Sequence, residues 1–268
     1  IFQDLSLFDL TLQRVNKTNL FKKPIVVTAE RYLDQVLISS ERTGLECELI
    51  VLEPEGKNTF PAVTLAISLS LDKYSEESFL VMPSDHYISM NKSFYYSCRE
   101  VFKQIEKNCL MLFGVRPEFP SSQFGYILTS EGEGGSFFKV KEFIEKPTFK
   151  KAKSLLKKQN VFWNSGIFAF KGKWFIEEIK KTRKAEFNNV LDSISLGENK
   201  GNIFKPHKES FKKLESISLD KAMVEKRKRV SMVTLDAGWS DLGSWTNLSS
   251  FHKDPSSSFS LNKEGSYT

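Results

Sequence analysis

The sequence predicts an α/β fold built on a mostly parallel central sheet flanked by helices. Three observations carry that reading. Short apolar runs such as "PIVVT" (24–28) and "ELIVLEP" (48–54) recur between turn formers, as strands buried on both faces do. Stretches with apolar residues at helical spacing, such as "TFPAVTLAISLSLDKY" (59–74), separate them. Polar residues also gather after several runs, at the carboxyl ends of strands where open α/β sheets bind ligands: Glu53, then Ser84-Asp85-His86, then Asp241.

In chain order, residues 4–16 read as an amphipathic helix, followed by the strand at 24–28, a helix over 31–42 and the strand at 48–54. The helix at 59–74 tolerates Pro61 because the first turn needs no N–H from it. "SFLVMPSDH" (78–86) is a strand running into polar residues, and a helix over 92–107 leads to the strand "CLMLFGV" (109–115). The strand–helix alternation then breaks. "FGYILTSEGEGGSFFKVKEFIEKP" (124–147) reads as two strands around a Gly-rich turn with no phosphate role. A helix at 148–159, the strand "VFWNSGIFAF" (161–170) and helices at 173–182 and 186–195 follow. Residues 197–216 read as polar and irregular, 219–227 as a short helix, and "VSMVTLD" (230–236) as a strand. From Phe251 the chain reads as linker or tail, and no internal repeat is present in the sequence.

At 268 residues, 40% hydrophobic and 27% charged, the chain has the size of one large α/β domain or two smaller ones. No run approaches the ~18 apolar residues of a membrane span, and no basic-then-apolar secretory pattern opens the sequence. Neither a membrane nor a nucleic-acid partner is expected: the net charge of +6 comes from dispersed lysines without interleaved aromatics. Such a balance suits solvated faces or an anionic small substrate. Cys47, Cys98 and Cys109 share no CxxC spacing and read as free thiols in a reducing, cytoplasmic setting. His86, His207 and His252 are too scattered to suggest a zinc site.

"GWSDLGSW" (238–245) sets one acid, Asp241, among glycines and indoles. A core needs no acid there and a solvated turn needs no tryptophan, so the pattern points to a carboxylate held in place. Asp85 and Asp241 would together suit Mg²⁺, which takes one or two carboxylates and completes its shell with water and phosphate oxygens. An acid after a strand is more commonly a cap or turn former. "EFIEKP" (142–147) ends a strand at proline. Its Glu145–Lys146 is either an exposed pair of small value or a hydroxyl acceptor beside a point charge for phosphate. In "WNSGIF" (163–168), Asn164 can donate to and accept from sugar hydroxyls, and Gly166 admits close backbone approach. Taken alone, that stretch reads as a bulge in a buried strand.

These motifs also occur together, in a familiar order. "LEPEGKNTFPA" (52–62), "PSDH" (83–86), "FGYI" (124–127), "EFIEKP", "FWNSGIFAF" and "LDAGWSDLGSW" (235–245) follow the order and spacing of one family. From residue 4 to about 250 the chain resembles the bacterial mannose-1-phosphate guanylyltransferases, within the sugar-nucleotide pyrophosphorylases. The resemblance implies a Rossmann-like nucleotidyltransferase domain over 1–250, a sugar-binding subregion over about 120–218, and a linker or C-terminal extension over 251–268. It implies GTP and mannose 1-phosphate as substrates, GDP-mannose and diphosphate as products, Mg²⁺ as cofactor, and a homodimer as a candidate assembly. Glu53, Lys57, Asn58 and Thr59 would touch the guanine nucleotide. Asp85 and Asp241 would hold the metal, with Ser84 in the substrate-contacting set. Gly125, Tyr126, Glu145, Asn164 and Gly166 would line the mannose site, Ser165 would join the substrate-contacting set, and Lys146 would meet the sugar phosphate. Asp85, Lys146 and Asp241 form the implied catalytic set.

The chain departs from the family pattern at Lys57, where arginine is usual, and at Phe60, Gln123-Phe124 and Lys221. The family's Gly-rich signature loop and first strand have their place ahead of Ile1, so the sequence is expected to start partway into the fold. Two other readings stay open: a related nucleotidyltransferase with another base or sugar, and a non-catalytic nucleotide-sugar-binding subunit.

Overall fold

The computed structural model of the chain describes residues 5–16, 18–74, 76–105, 109–130, 137–224 and 230–242. The expected Gly-rich turn, the end of the 219–227 helix, the second half of "GWSDLGSW" and the tail from Phe251 lie outside these residues.

Helix α1 (Leu7–Asn16) precedes β1 (Ile25–Ala29), α2 (Leu33–Thr43), β2 (Leu49–Glu53) and α3 (Thr59–Tyr74). β3 (Ser78–Val81), β4 (His86–Ile88), α4 (Asn91–Gln104) and β5 (Leu110–Val115) follow. A second group comprises β6 (Tyr126–Thr129), β7 (Phe137–Ile144), α5 (Phe149–Leu155), β8 (Val161–Lys171), α6 (Gly172–Thr182) and α7 (Lys184–Ser195). The last elements are β9 (Glu198–Lys200), β10 (Ile203–Lys205), α8 (Lys208–Lys212), α9 (Leu219–Met223), β11 (Val230–Thr234) and β12 (Trp239–Asp241). β9, β10 and α8 occupy the stretch read as irregular. The three residues of β9 are all exposed, and in β10 Phe204 alone is buried, so no apolar rhythm marked them.

The fold is α/β as expected, but its sheets are mixed where a mostly parallel one was anticipated. β1, β2 and β10 run parallel, with β9 antiparallel at the edge. The larger sheet has the order β3-β8-β5-β11-β7-β6. The parallel neighbours in it are β5 and β11, while β8 runs antiparallel to β3, β5 and β6, and β7 antiparallel to β11 and β6. β4 and β12 form a separate antiparallel ribbon.

Two apolar layers sandwich the larger sheet. On one side Phe60, Phe162, Phe170 and Phe175 pack with α3, α6 and α9 residues; on the other, Phe94 and Val101 of α4 pack in one cluster with Phe113 of β5. Each fully buried Phe or Leu in such layers contributes roughly 1.5–3 kcal/mol. Cys47 and Cys98 are buried and Cys109 is half-buried, all as free thiols. No helix among the described residues is long and apolar enough to cross a membrane.

Candidate active site

The β4–β12 ribbon joins the two aspartates that the sequence keeps far apart. Asp241 lies opposite His86 in register, and Asp85 is the residue immediately before His86. The turn into β12 depends on Gly238. Its φ is +59°, and a Cβ there would lie 1.9 Å from the Ser89 hydroxyl oxygen, so a side chain is excluded. Trp239 sits on His86 edge-on at 5.4 Å and donates its indole N–H to His86 Nδ1 at 3.1 Å. That bond places the imidazole proton on Nε2, which faces Asp241 Oδ1 at 3.8 Å. Burial pushes the His86 pKa down, while the charges of Asp241 and Asp85 oppose the shift. Both carboxylates therefore bear on one neutral ring. Among the described residues no three His, Cys, Asp or Glu side chains cluster as a metal cage. Asp85 is exposed and Asp241 half-buried. Two such oxygens fit a hard cation that takes its remaining ligands from water and phosphate.

The bulge in β8 lies next to this ribbon. Register between β5 and β8 slips between Leu112↔Phe168 and Gly114↔Asn164. The slip leaves Gly166 at φ +70°, with Pro83 and the His86 ring 3.4 and 3.6 Å from where its Cβ would be. On the far side of the bulge, the Asn164 backbone N–H donates to the Gly125 carbonyl at 2.8 Å. A Cβ on Gly125 would lie 3.0 Å from Glu145 Oε2. Asn164 donates its side-chain amide to Asp220 Oδ1 at 2.5 Å. Burial, then the charge of Glu145, pushes the Asp220 pKa up to about 6.

Lys146 is exposed, 4.0 Å from Glu145, and has a φ of +39°. Asn58, at φ +67°, is the other non-glycine residue with positive φ among those described. Both were singled out from sequence, and such backbone strain collects at ligand sites.

Glu53 ends β2 with its carboxylate largely buried. Its Oε1 has no hydrogen-bond partner among the described residues, and burial pushes its pKa up to about 7. The loop beyond it is tied down by structural bonds. Lys57 donates to the Lys212 carbonyl and pairs with Glu55, each at 2.9 Å. Asn58 Oδ1 accepts from the Thr59 N–H, and Thr59 Oγ1 accepts from the Leu219 N–H that opens α9, each at 2.8 Å.

Two expected substrate contacts need correction. Tyr126 is fully buried, and its hydroxyl is engaged by the Ser121 N–H and carbonyl. Ser165 is fully buried and donates to the Phe113 carbonyl. Successive strand residues face opposite ways, so these two point into the core beside Gly125, Asn164 and Gly166. They support the wall of the site from behind. Ser84 is exposed, and its carbonyl accepts from the Thr11 hydroxyl at 3.5 Å. Sequence reasoning missed Asp220, whose place two residues after Ser218 reads as helix capping. It took Trp239 only as an indole bracing the Asp241 turn, and gave His86 no role beyond its place in the polar cluster.

A mannose-1-phosphate guanylyltransferase of Sinorhizobium fredii is 33% identical over 241 residues, covering 90% of this chain and 47% of that protein. One from Escherichia coli is 32% identical over 252 residues, covering 91% and 52% respectively. The chain thus spans about half the length of these curated relatives. A crystal structure described as a mannose-6-phosphate isomerase from Helicobacter pylori matches with a TM-score of 0.80 at 28% identity, covering 90% of this chain and 92% of that one. A family profile described as nucleotidyl transferase matches residues 1–257. Given that match across nearly its whole length, the chain belongs to the nucleotidyl transferase family.

Proposed function

We propose that this protein transfers a guanylyl group from GTP to mannose 1-phosphate, giving GDP-mannose and diphosphate. The observation that carries the reading is the β8 bulge. It sets a hydroxyl-binding cluster (Gly125, Glu145, Asn164) on one side and the His86–Asp241 ribbon on the other, with Gly166 between them. A sugar and the phosphate at its C1 need such adjacency.

In this reading an oxygen of the sugar phosphate attacks the α-phosphorus of GTP in line, and the bond from that phosphorus to the diphosphate breaks. The nucleophile is already an anion near neutral pH, so no general base is needed, and catalysis is positioning plus charge stabilisation. Glu145 and Asn164 hold the hexose by its hydroxyls. Lys146 meets the sugar phosphate. Glu53 accepts from the N–H groups of the guanine edge, and its buried oxygen has no other partner among the described residues. Members of this family generally use a divalent metal. Asp85 and Asp241 would hold that ion, Mg²⁺ in our reading, which supplies charge neutralisation to the phosphates.

The test is direct. Purified protein with Mg²⁺, GTP and mannose 1-phosphate should release diphosphate and form GDP-mannose, with lower kcat/KM for UTP and for glucose 1-phosphate. A parallel assay for interconversion of mannose 6-phosphate and fructose 6-phosphate addresses the isomerase activity for which the structural neighbour is named. Isomerisation without guanylyl transfer, or faster transfer from another nucleotide, overturns the proposal.

A further inference from the structure

We infer that Asp220 is a positioning residue for sugar recognition: it fixes which end of the Asn164 amide faces the sugar. This inference rests on the function proposed above.

Asp220 is the second residue of α9, whose start is held by Ser218 accepting from the Lys221 N–H and by Thr59 accepting from the Leu219 N–H. An acid in a first helical turn usually lies in water near the helix N-terminus. Here the carboxylate is turned inward onto β8, within the fields of Glu145 and Lys146. Burying one acid near another is costly unless both are hydrogen-bonded, so this arrangement needs a reason.

The reason lies in the chemistry of the primary amide. The two ends of an asparagine side chain have nearly the same shape, and without a fixed partner the group can present either one. An ionised carboxylate only accepts, so Asp220 requires the Asn164 NH₂ to face it. The carbonyl is then turned toward the Gly166 N–H, 3.4 Å away. The amide's second N–H and its remaining lone pair thereby acquire fixed directions. Glu145, close to Gly125, adds acceptors beside them. A sugar, whose hydroxyls both donate and accept, complements such a cluster. A fixed donor–acceptor order distinguishes hexoses that differ in one hydroxyl.

The isosteric change Asp220→Asn removes this constraint, because the new amide can face Asn164 with either end. KM for mannose 1-phosphate should rise roughly 10–100-fold, the range for losing a hydrogen bond to a charged group, with kcat and KM for GTP changing less than about threefold. Preference for mannose 1-phosphate over glucose 1-phosphate should fall by a similar factor. Asn164→Ala should give the same KM defect, and the double variant should be no worse than Asn164→Ala alone, since Asp220 acts through Asn164. Additive losses in that cycle, or equal losses for GTP and the sugar phosphate, overturn the assignment. A readout independent of turnover is the side-chain amide NMR signal of Asn164, which should move in Asp220→Asn. If wild-type protein turns over no mannose 1-phosphate and that signal still moves, the proposed function fails and the amide positioning stands. If the signal and KM are both unchanged, Asp220 has no such role.

Discussion

The two ends of the candidate site are built in opposite ways. At the end proposed to take the sugar, side chains already hold one another. Asn164 is bonded to Asp220 through its amide and to Gly125 through its backbone, and Lys146 lies near Glu145. At the end proposed to take the nucleotide, Lys57, Asn58 and Thr59 spend their polar atoms on α8, on the loop itself and on α9. Glu53 meanwhile keeps a buried oxygen with no partner among the described residues. The first end is organised before its ligand arrives. The second holds an energetic deficit that a ligand bearing N–H donors would relieve. Preorganisation lowers the ordering cost of binding, whereas a desolvated carboxylate gives selectivity, because the wrong base leaves it unpaired.

The largest expected effect lies between the two ends, on the ribbon. Asp241→Asn preserves shape but removes a charge, and turnover should fall by ~10²–10³-fold, the scale for losing one preorganised stabilising group. A near-normal Mg²⁺-dependent rate in that variant would show that the ribbon only braces the fold. Next in size is Lys146→Ala, the sharpest probe of the sugar end. If Lys146 is merely an exposed partner of Glu145, its loss costs ~0–1 kcal/mol. As the contact to the attacking phosphate it should cost about 2–3 kcal/mol in kcat/KM for mannose 1-phosphate. GTP affinity measured by calorimetry should hardly change. Parallel losses in both quantities would erase the distinction between the two ends.

How much of this could be read from the sequence follows the same division. The helix at 59–74 is found at its expected bounds, because a long periodic run with proline in its first turn leaves little choice. Strand direction was not legible: the apolar run of β8 reads the same whichever way its neighbours run, and it is antiparallel to all of them. Asp85 and Asp241 stood out as acids following strands, but what joins them is a pairing of three residues on each side, too short to leave a pattern. Motifs also located Tyr126 and Ser165 correctly in the chain without revealing which way they face. Nothing in the helical pattern of 219–227 singled out Asp220, since only the tertiary fold turns it onto Asn164.

The smallest expected effect tests the nucleotide end and reverses sign with the ligand. In the free protein, burial holds the Glu53 pKa at about 7, above the usual 4.5. Folding therefore favours the protonated form. The stability this contributes is fully present below about pH 4.5 and is lost as pH rises to about 7. Glu53→Gln removes the buried charge, so the free variant should be more stable than wild type at pH 8 by about 1–2 kcal/mol, a few degrees in Tm. At pH 5 the two should be alike. Binding runs the other way, since N–H donors from the base favour the ionised carboxylate. Affinity should therefore rise with pH up to about 7 and level off. GDP-mannose is the suitable probe, because its diphosphate is esterified at both ends and has no group titrating near neutrality. Calorimetry from pH 5.5 to 8 should show wild-type affinity increasing and Glu53→Gln affinity flat and weaker above pH 7. A variant that gains stability but keeps the wild-type pH profile for binding would mean that Glu53 is strained for some purpose other than reading the base.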